Sequence, residues 1–434
     1  MYTSKRILLA VIAALFLHVA GAQNDDAVNT FTPYSLYGVG DLASPGFSFQ
    51  RAMGGIGIGL RTNRAINYIN PASLSVQDTL SFMFDFGGEM QNYYLSTTDH
   101  TTASNSFNMH HLSMSFPIWR KMVLAMSVMP YSNVGYRITE KETDPAVLNT
   151  TGGATYTNRG EGGLNQVMMS VGMSFRGLVS NPFLQRISIG GQAQYIFGSI
   201  DRYSNVTFAT SANAGVTSGR FIRADDFAFG LGVQYEQPIG VYGLTIGATY
   251  QFQNNMSVEQ TNFRHVQSSS SYSTLDTTFG TRLFVPSAFG VGVTLHRGAQ
   301  WLVGIDYTFR NWTNATFDVP ASRIFKARPE HIFRAGFERT PNRYDIRYFL
   351  KRWSYRAGLY YEQTYLQFDN NRITNYGATV GVGIPIGNRN NALNLSAEVG
   401  RRGTTDNGLV RELYWKLTVG VSLYDIWFMQ PRFE

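Results

Sequence analysis

The chain has 434 residues, among them 43 glycines, 30 phenylalanines and 25 tyrosines but no cysteine, and only 15% of its residues are charged. The lack of cysteine excludes disulfides, thiolate chemistry and a lipoprotein, which needs a cysteine at its cleavage site. The formal net charge of +7 falls by two, to +5, when Lys5 and Arg6 are removed with the N-terminal segment. The positive residues are scattered, with the densest group at 343–352, and we interpret them as solvated turn charge and not as a nucleic-acid surface.

The first residues have the pattern of a secretory signal peptide. Lys5 and Arg6 precede an apolar run over 7–20, and the small residues at 20–22 form a cleavage site. An uncleaved membrane anchor is the alternative, but the run is short for a spanning helix. We therefore expect residues 1–22 to be a signal peptide and the remaining chain to be exported.

From residue 79 onward, apolar and polar residues alternate with a period of two. In the last such segment, 413–424, apolar side chains occupy every odd position, which is typical of a strand between an apolar and a polar medium. A soluble β-sandwich is the alternative, but many segments exceed the usual soluble strand of about five or six residues and reach the roughly ten that a membrane strand needs. No apolar stretch after residue 22 is long enough for a membrane helix. Because hydrocarbon tolerates no open sheet edge, we expect the strands to close into a barrel.

Fourteen segments fit this pattern, an even number, as in single-chain bacterial barrels. They lie near 79–96, 106–118, 122–138, 164–176, 185–202, 222–237, 240–256, 281–296, 300–312, 330–339, 353–365, 373–387, 391–402 and 410–428. Long polar connections at 139–163, 203–221 and 257–280 alternate with short turns, except for the long basic connection 340–352 on the short-turn side. The sequence thus predicts an all-β fold, a transmembrane antiparallel β-barrel of about 14 strands over 79–434, in the outer membrane of a Gram-negative cell.

Residues 23–78 differ from the rest because they are rich in glycine and aromatic residues and lack long alternation. They are too aromatic for a disordered leader, and we expect them to form a hatch, or plug, inside the barrel lumen. The glycines Gly54, Gly55 and Gly57 suggest a nucleotide loop, but their spacing is wrong and no strand and helix flank them. We interpret them as backbone that turns sharply in a crowded lumen.

Three short motifs stand out, namely the glycine-rich stretch 51–59 leading to Asn70-Pro71-Ala72, the proline-led strand 285–293, and the strand 306–312 with Asp306 and Trp312. Together they resemble the FadL family, outer-membrane transporters of long-chain fatty acids and other hydrophobic molecules. The opening segment 32–41 also resembles related barrels of the Bacteroidetes. The resemblance implies a fourteen-stranded barrel with an N-terminal hatch that contains Asn70, Pro71 and Ala72, whereas no ligand-contacting residue carries over.

Charged residues on the polar faces of the later strands should lie in the lumen, because each would cost roughly 2–4 kcal/mol facing lipid at mid-depth. They are Asp306, Arg310, Arg334, Glu338, Arg356, Glu362, Glu398 and Lys416. We interpret this lumen polar network as paired charges that anchor the hatch to the wall. A polar path for a solute is the alternative.

Histidine and aromatic residues predict no further chemistry. His110 and His111 are adjacent on a strand, so their rings should point to opposite faces and cannot share a metal ion. A catalytic serine would need a nucleophile elbow or a local histidine constellation, and the sequence has neither. We therefore expect no enzyme, no metal and no cofactor. Aromatic residues at strand ends are typical of membrane-interface girdles, namely Tyr93, Tyr94, Tyr131, Tyr136, Trp312, Tyr360, Tyr361, Trp415 and Trp427.

The leading functional hypothesis is passive uptake of a small hydrophobic ligand, fatty-acid-like or aromatic, through a hatch-gated barrel. The hatch and gating residues would be Gly54, Gly55, Gly57, Asn70, Pro71 and Ala72. The alternative is a FadL-related barrel that serves as a protein-interaction or secretion-system component without solute transport, and a polar porin ranks lower. The expected partners are the ligand, outer-membrane lipid and lipopolysaccharide, and a protein at the extracellular loops, with no nucleic acid.

Overall fold

The computed structural model describes residues 30–209, 214–266, 273–315, 325–387 and 390–427, and the expected signal peptide 1–22 lies outside them. The strands in chain order are β1 (Asp41–Leu42), β2 (Ser81–Ser96), β3 (Thr101–Trp119), β4 (Met122–Lys141), β5 (Ala154–Ser174), β6 (Ile187–Phe208), β7 (Val216–Ile239), β8 (Tyr242–Gln251), β9 (Asn254–Val266), β10 (Ser273–Val285), β11 (Ala288–Arg297), β12 (Trp301–Arg310), β13 (Phe325–Ala327), β14 (Glu330–Arg339), β15 (Ser354–Phe368), β16 (Asn371–Pro385), β17 (Ala392–Arg402) and β18 (Arg411–Ile426). Short α-helices span Ser48–Arg51 and Pro145–Thr151, and 3₁₀-helices span Pro33–Leu36, Pro71–Val76, Leu184–Arg186, Phe349–Arg352 and Asp406–Gly408. Among the described residues, none of the helices has the length and apolar character needed to span a membrane.

The strands form one closed antiparallel barrel. Successive strands pair with each other, and β18 pairs with β2 along its whole length, from Arg411 opposite Ser96 to Ile426 opposite Ser81. β8 and β9 are two parts of one interrupted barrel strand, as are β10 and β11, because β8 pairs with β11 and β9 with β10 in the same register. β13 extends β14 along β15, and the two-residue β1 belongs to the N-terminal segment. The barrel therefore has fourteen strands, which confirms the predicted number.

The outward face of the wall is apolar. Ile305, Leu359 and Val399 are 61%, 61% and 63% exposed, whereas the next residues on the inward face, such as Asp306 and Glu398, are buried. Exposing apolar surface to water costs about 25 cal/mol of free energy per Å², so a belt of this kind is unfavourable in water. This apolar belt, with a polar interior, has the in–out alternation of a barrel that spans hydrocarbon.

Three polar connections contain more strand than the sequence predicts. The prediction that 257–280 is an outer loop is wrong, because β9 and β10 pair over the described part of this stretch, and residues 267–272 lie outside the described part. The strands β4 to β7 likewise continue into 139–163 and 203–221. Beyond the apolar belt the outward face of a strand meets water and is polar, as at Ser257 and Glu259, while inward residues such as Met256 stay buried. The apolar outward positions that identify a membrane strand are therefore absent there, although the backbone ladder continues.

Residues 30–78 fill the lumen as a plug. Phe47, Met53, Ile56 and Leu60 have no exposed surface, and they pack in two clusters that include inward-facing wall residues such as Leu302. The plug contains only short helical turns, of which two begin at prolines that fix the backbone angle of a first turn. The lumen is therefore a packed core and not an open pore.

The predicted aromatic girdle is correct for only some of its members. Tyr94, Tyr361 and Trp427 are exposed on the outside, at 45%, 41% and 61%. The prediction is wrong for Tyr93, Tyr131, Tyr136, Trp312 and Tyr360, which lie on the inner side. Trp312, for example, is fully buried and stacks on Tyr365 at 4.2 Å between ring centroids. Side chains alternate between the two faces, so of two adjacent aromatic residues one faces inward.

Candidate functional site: the interface between plug and wall

Asp306 fixes the glycine-rich turn of the plug to the wall. One carboxylate oxygen accepts hydrogen bonds from the backbone amides of Gly57 and Ile58, at 2.6 and 2.8 Å. Asp306 lies in β12 and is 3% exposed. The two amide donors pair only one of the two oxygens of this buried carboxylate, since the other has no hydrogen-bond partner among the described residues. The contact therefore depends on the plug backbone being in place.

Glu338 connects the plug to two wall strands. Its carboxylate contacts Arg64 of the plug at 2.5 Å and Arg356 of β15 at 2.8 Å. Arg356 also donates to Asn394 at 2.8 Å, and its guanidinium lies over the ring of Phe49 in the plug, 4.0 Å from the centroid. The pairing of Arg64 with Glu338 is therefore part of a buried network in which every member is held by more than one contact.

Arg51 of the plug makes the second ionic contact with the wall. Its guanidinium contacts the carboxylate of Glu89 and lies 3.9 Å from that of Glu398. Glu398 accepts a hydrogen bond from the Tyr360 hydroxyl at 2.9 Å and is opposite Lys416 in the register of β17 and β18. Glu398 and Lys416, predicted on sequence grounds to face the lumen, thus lie beside a plug arginine.

The remaining predicted charges lie at the upper part of the lumen. Arg310 contacts Glu330 at 3.1 Å, and Glu362 accepts a hydrogen bond from Asn375 at 3.1 Å. Arg334 lies against the plug, because a Cβ on Gly55 would be 3.3 Å from its Nε atom. A small cavity of about 60 Å³ lies beside this group and is lined by Arg310, Glu330, Arg334 and Glu362 and by plug residues such as Leu42 and Pro45.

The predicted hatch residues are seated directly against wall backbone. Asn70 accepts from the Ala72 amide at 3.1 Å and donates to the carbonyls of Ile58 and Val233, at 2.8 and 3.2 Å. Its neighbours Pro71 and Ala72 lie over two wall glycines whose positions have no room for a Cβ. Gly54 has a φ of +69°, and a Cβ there would meet the carbonyl oxygens of Leu359 and Ala335 at 2.8 and 2.9 Å. Gating by these residues stays a prediction.

Sequence reasoning missed the plug arginines. Arg51 and Arg64 form the ion pairs described above, and Arg61 contacts Glu236 at 3.2 Å and Ser188 at 3.1 Å. Burial lowers the pKa of Arg61, with Glu236 acting in the opposite direction. The signal was available, since three arginines within fourteen residues of a lumenal segment need acidic partners on the wall.

The two histidines contradict the prediction from strand periodicity. A β-bulge between Gly87 and Gly88 places His110 outside the regular ladder, and its Nδ1 lies 2.7 Å from the Nδ1 of His111. His111 also contacts Asp85 at 2.5 Å and stacks on Phe47 of the plug at 4.0 Å. A bulge changes the direction of a side chain, so the argument that adjacent residues face apart fails here. In the described chain no group of three metal-ligating side chains could hold an ion.

A cavity of about 170 Å³ lies between plug and wall. Leu42, Ile58 and Ile69 of the plug and Met168, Gln192 and Thr249 of the wall are among its lining residues. It reaches Gln251 and Pro286, where the two interrupted barrel strands break. Within the described residues, the buried side-chain oxygens of Gln166 and Gln192 have no hydrogen-bond partner. The lining of this cavity is thus mixed, because apolar side chains stand beside the charged groups of Asp306, Arg310 and Arg334 and beside the free acceptors of Gln166 and Gln192.

A fourteen-stranded antiparallel barrel whose lumen is filled by an N-terminal plug defines the class of this protein. Solved structures of this architecture include the toluene transporter TbuX of Ralstonia pickettii (15% identity, TM-score 0.57, 87% of this chain and 98% of that one). Others are the toluene transporter TodX of Pseudomonas putida (16%, 0.56, 90% and 100%) and a FadL homologue of Pseudomonas aeruginosa (12%, 0.58, 89% and 99%). At these identities the likeness shows the fold, and it confirms the resemblance to FadL at that level.

By sequence, the chain belongs to the BamG family, whose family model matches residues 3–434. No curated protein sequence matches the chain.

Proposed function

We propose that the protein is an outer-membrane channel through which small hydrophobic molecules pass between the plug and the barrel wall. The observation that carries this proposal is the cavity of about 170 Å³, whose mixed lining includes the apolar side chains of Leu42, Ile69 and Met168. An apolar cavity of about 150 Å³ holds one benzene ring. The size therefore favours a single-ring compound over a long-chain fatty acid.

The free acceptors of Gln166 and Gln192 refine the ligand class. A buried acceptor without a partner costs about 1–3 kcal/mol, so a ring that carries a hydroxyl or amine donor would be held better than a plain hydrocarbon. Binding needs no covalent chemistry, because its driving force is the burial of apolar surface at about 25 cal/mol per Å². Displacement of the plug at Asn70, Pro71, Ala72 and the glycines 54, 55 and 57 would release the ligand, sideways or towards the periplasm.

The test is an uptake assay in whole cells with and without the gene, using labelled toluene, labelled phenol and a labelled long-chain fatty acid. The proposal expects gene-dependent uptake of the two single-ring compounds, with phenol competing against toluene, and no gene-dependent uptake of the fatty acid. Equal uptake of all three compounds by the two strains would contradict the proposed channel function.

A second candidate, a protein-interaction barrel without solute transport, is favoured by the length of one part of the wall. β4, β5, β6 and β7 have 20, 21, 22 and 24 residues, whereas roughly ten residues cross the hydrocarbon. β12 and β14 on the far side have 10 residues each. The four long strands therefore extend beyond the hydrocarbon as an ordered backbone ladder, and they do so at one part of the barrel circumference only.

The two candidates make different predictions for a deletion of the projecting parts of β4 to β7 together with their connections. A channel keeps its gene-dependent uptake of single-ring compounds, because the cavity lies below the deletion. An interaction barrel loses a protein that otherwise copurifies with it from gently solubilised membranes. Loss of uptake with an intact cavity would contradict the channel, and an unchanged set of copurifying proteins would contradict the interaction barrel.

A further inference from the structure

The connection between β14 and β15 is an ordered surface with an unusual exposure of large apolar side chains. It lies at the short-turn end of the barrel, and its residues 340–352 include Tyr344, Ile346 and Leu350, which are 84%, 100% and 59% exposed. The other connections at this end include tight turns such as that between β7 and β8, Ile239 to Tyr242. Exposure of this kind on an ordered segment points to a surface that is covered in the working protein.

The segment is tied down by its own backbone and by neighbouring strands. The Asp345 carboxylate accepts from the amides of Arg347 and Tyr348 at 2.9 and 2.7 Å, and Asn342 donates to the carbonyl of Lys351 at 2.9 Å. At its base, the hydroxyls of Thr340 and Ser354 are 2.7 Å apart. These bonds hold the apolar side chains outward in a fixed arrangement, so their exposure is not a result of a loose chain.

The same segment is strongly basic. Between 340 and 352 the chain has four basic residues, Arg343, Arg347, Lys351 and Arg352, against the single acid Asp345, for a net charge of +3. Lys351 lies over the ring of Tyr348 at 4.4 Å and Arg352 over that of Phe349 at 5.7 Å. Cations and exposed apolar groups thus alternate on one surface, a composition typical of segments that lie in a membrane interface.

A row of aromatic rings joins this surface to the apolar belt. Phe349 is 6.1 Å from Trp353, and Trp353 is 6.5 Å from Tyr355, measured between ring centroids. Tyr355 is 40% exposed on the outer face of β15, and Ala357 and Leu359 follow it on the same face. The Tyr355 hydroxyl donates to the carbonyl of Leu350 at 3.1 Å. Because the belt and the segment are continuous, the segment lies at the depth of the lipid headgroups.

We infer that residues 340–352 bind the anionic headgroups of the phospholipid leaflet at the periplasmic end of the barrel, with Ile346 and Leu350 inserted among the lipids. The basic side chains contact the phosphates and the apolar side chains enter the acyl boundary. Near an anionic surface each basic residue contributes about 1 kcal/mol, a factor of about five in binding. The inference rests on insertion of the barrel into a membrane but not on whether it transports a solute.

The test uses the natural absence of cysteine, which allows a single label on the full mature chain. A spin label is placed on Ile346→Cys and, as a matched control, on Val241→Cys in the turn between β7 and β8, where the native side chain is 65% exposed. Both proteins are reconstituted in phosphatidylcholine bilayers with or without a third of phosphatidylglycerol. Accessibility to oxygen, which dissolves in lipid, is compared with accessibility to a water-soluble nickel chelate.

The inference expects phosphatidylglycerol to shift the label at 346 from nickel-accessible to oxygen-accessible and to leave the label at 241 unchanged. Replacing Arg347 and Lys351 by glutamine should weaken the binding of segment 340–352 to the anionic bilayer by a factor of about 25, relative to the neutral bilayer. Glutamate at both positions should weaken this binding further. Unheated migration in gel electrophoresis checks that each variant barrel is folded. Equal accessibility of the label at 346 in both bilayers, or shielding that appears only when a periplasmic protein fraction is added, would overturn the inference.

Discussion

Asp306 of the barrel wall accepts hydrogen bonds from the backbone amides of both Gly57 and Ile58 in the plug, at 2.6 and 2.8 Å. The backbone amides of Gly54 and Gly57 thus donate to side chains of the wall, namely those of Thr379 and Asp306. Gly57 has an Ile69 side chain in the place where a Cβ would point, so the turn can approach the carboxylate only as glycine. The wall therefore fixes the conformation of the segment that would have to move in any gating step.

Replacing Asp306 by alanine should loosen the plug. Two buried amide donors would lose their acceptor, at a cost of about 1–3 kcal/mol each. We expect transient openings to appear in planar-bilayer conductance, where the wild type is closed. Asp306→Asn is the matched control, because its amide oxygen still accepts a hydrogen bond, and it should open less often. Identical closed traces for all three proteins would show that this contact does not hold the plug.

Replacing Glu338 by glutamine should destabilise the protein strongly. The change removes the carboxylate that lies between Arg64 and Arg356 and leaves two buried cations close together, for which losses of about 3–5 kcal/mol are usual. Glu236→Gln is the control, since the Glu236 side chain is 37% exposed beside Arg61 and such pairs contribute roughly 0–1 kcal/mol. Guanidinium unfolding in detergent micelles measures both. A loss for Glu338→Gln no larger than for Glu236→Gln would contradict the anchoring role.

Replacing Gly358 by alanine should prevent the plug from seating. A Cβ at this position of β15 would overlap the amide nitrogen of Gly54 and the carbonyl carbon of Met53, both of which are backbone atoms that cannot rotate away. Gly191→Ala makes the same change where the nearest atom is 3.8 Å away on Leu231, and it should be tolerated. Limited proteolysis of the plug in folded protein distinguishes the two, with rapid cleavage expected only for Gly358→Ala. Equal resistance of both would show that wall and plug are not in backbone contact there.

The barrel could be predicted from the sequence wherever one strand face meets hydrocarbon. The regular alternation over 413–424 predicted β18 to within a few residues, since its odd positions face outward and its even positions line the lumen. The projecting strands β9 and β10 were missed because their outward faces are polar, as at Ser257 and Glu259, although inward residues such as Met256 and Val258 are buried and apolar. The bulge at His110 could not be predicted either, since it depends on the register between β2 and β3 and not on local sequence.

For the candidate site, the sequence predicted the wall charges but not their partners. Asp306, Glu338 and Glu398 were predicted to face the lumen because a charged side chain that faces lipid destabilises the barrel. That argument needs only strand periodicity. Their contacts with Gly57, Arg64 and Arg51 depend on how the plug folds, and the plug has no periodic pattern that fixes its path. The cavity beside Met168 is likewise a result of plug packing, so no local motif marks it.

Changing the size of the cavity should change ligand flux in opposite directions. Gln192 lines the cavity from β6, so Gln192→Trp should fill it and abolish gene-dependent uptake of toluene, while Gln192→Ala should enlarge it and preserve uptake. Tyr195→Trp, on the outer face of the same strand at 36% exposure, is the control for a tryptophan in β6. Undiminished toluene uptake by Gln192→Trp would contradict passage through this cavity.

Replacing Leu359 by lysine should reveal whether the apolar belt lies in hydrocarbon. Leu359 is 61% exposed and lies five residues from the start of β15, near the middle of the roughly ten residues that cross a bilayer. A lysine facing lipid at mid-depth costs about 2–4 kcal/mol, whereas a surface substitution in water usually changes stability by less than about 0.5 kcal/mol. Denaturant titration in lipid vesicles, with Leu359→Met as the control that keeps an apolar side chain, measures the difference. If the lysine and methionine variants unfold at the same denaturant concentration, this face of β15 does not lie against lipid.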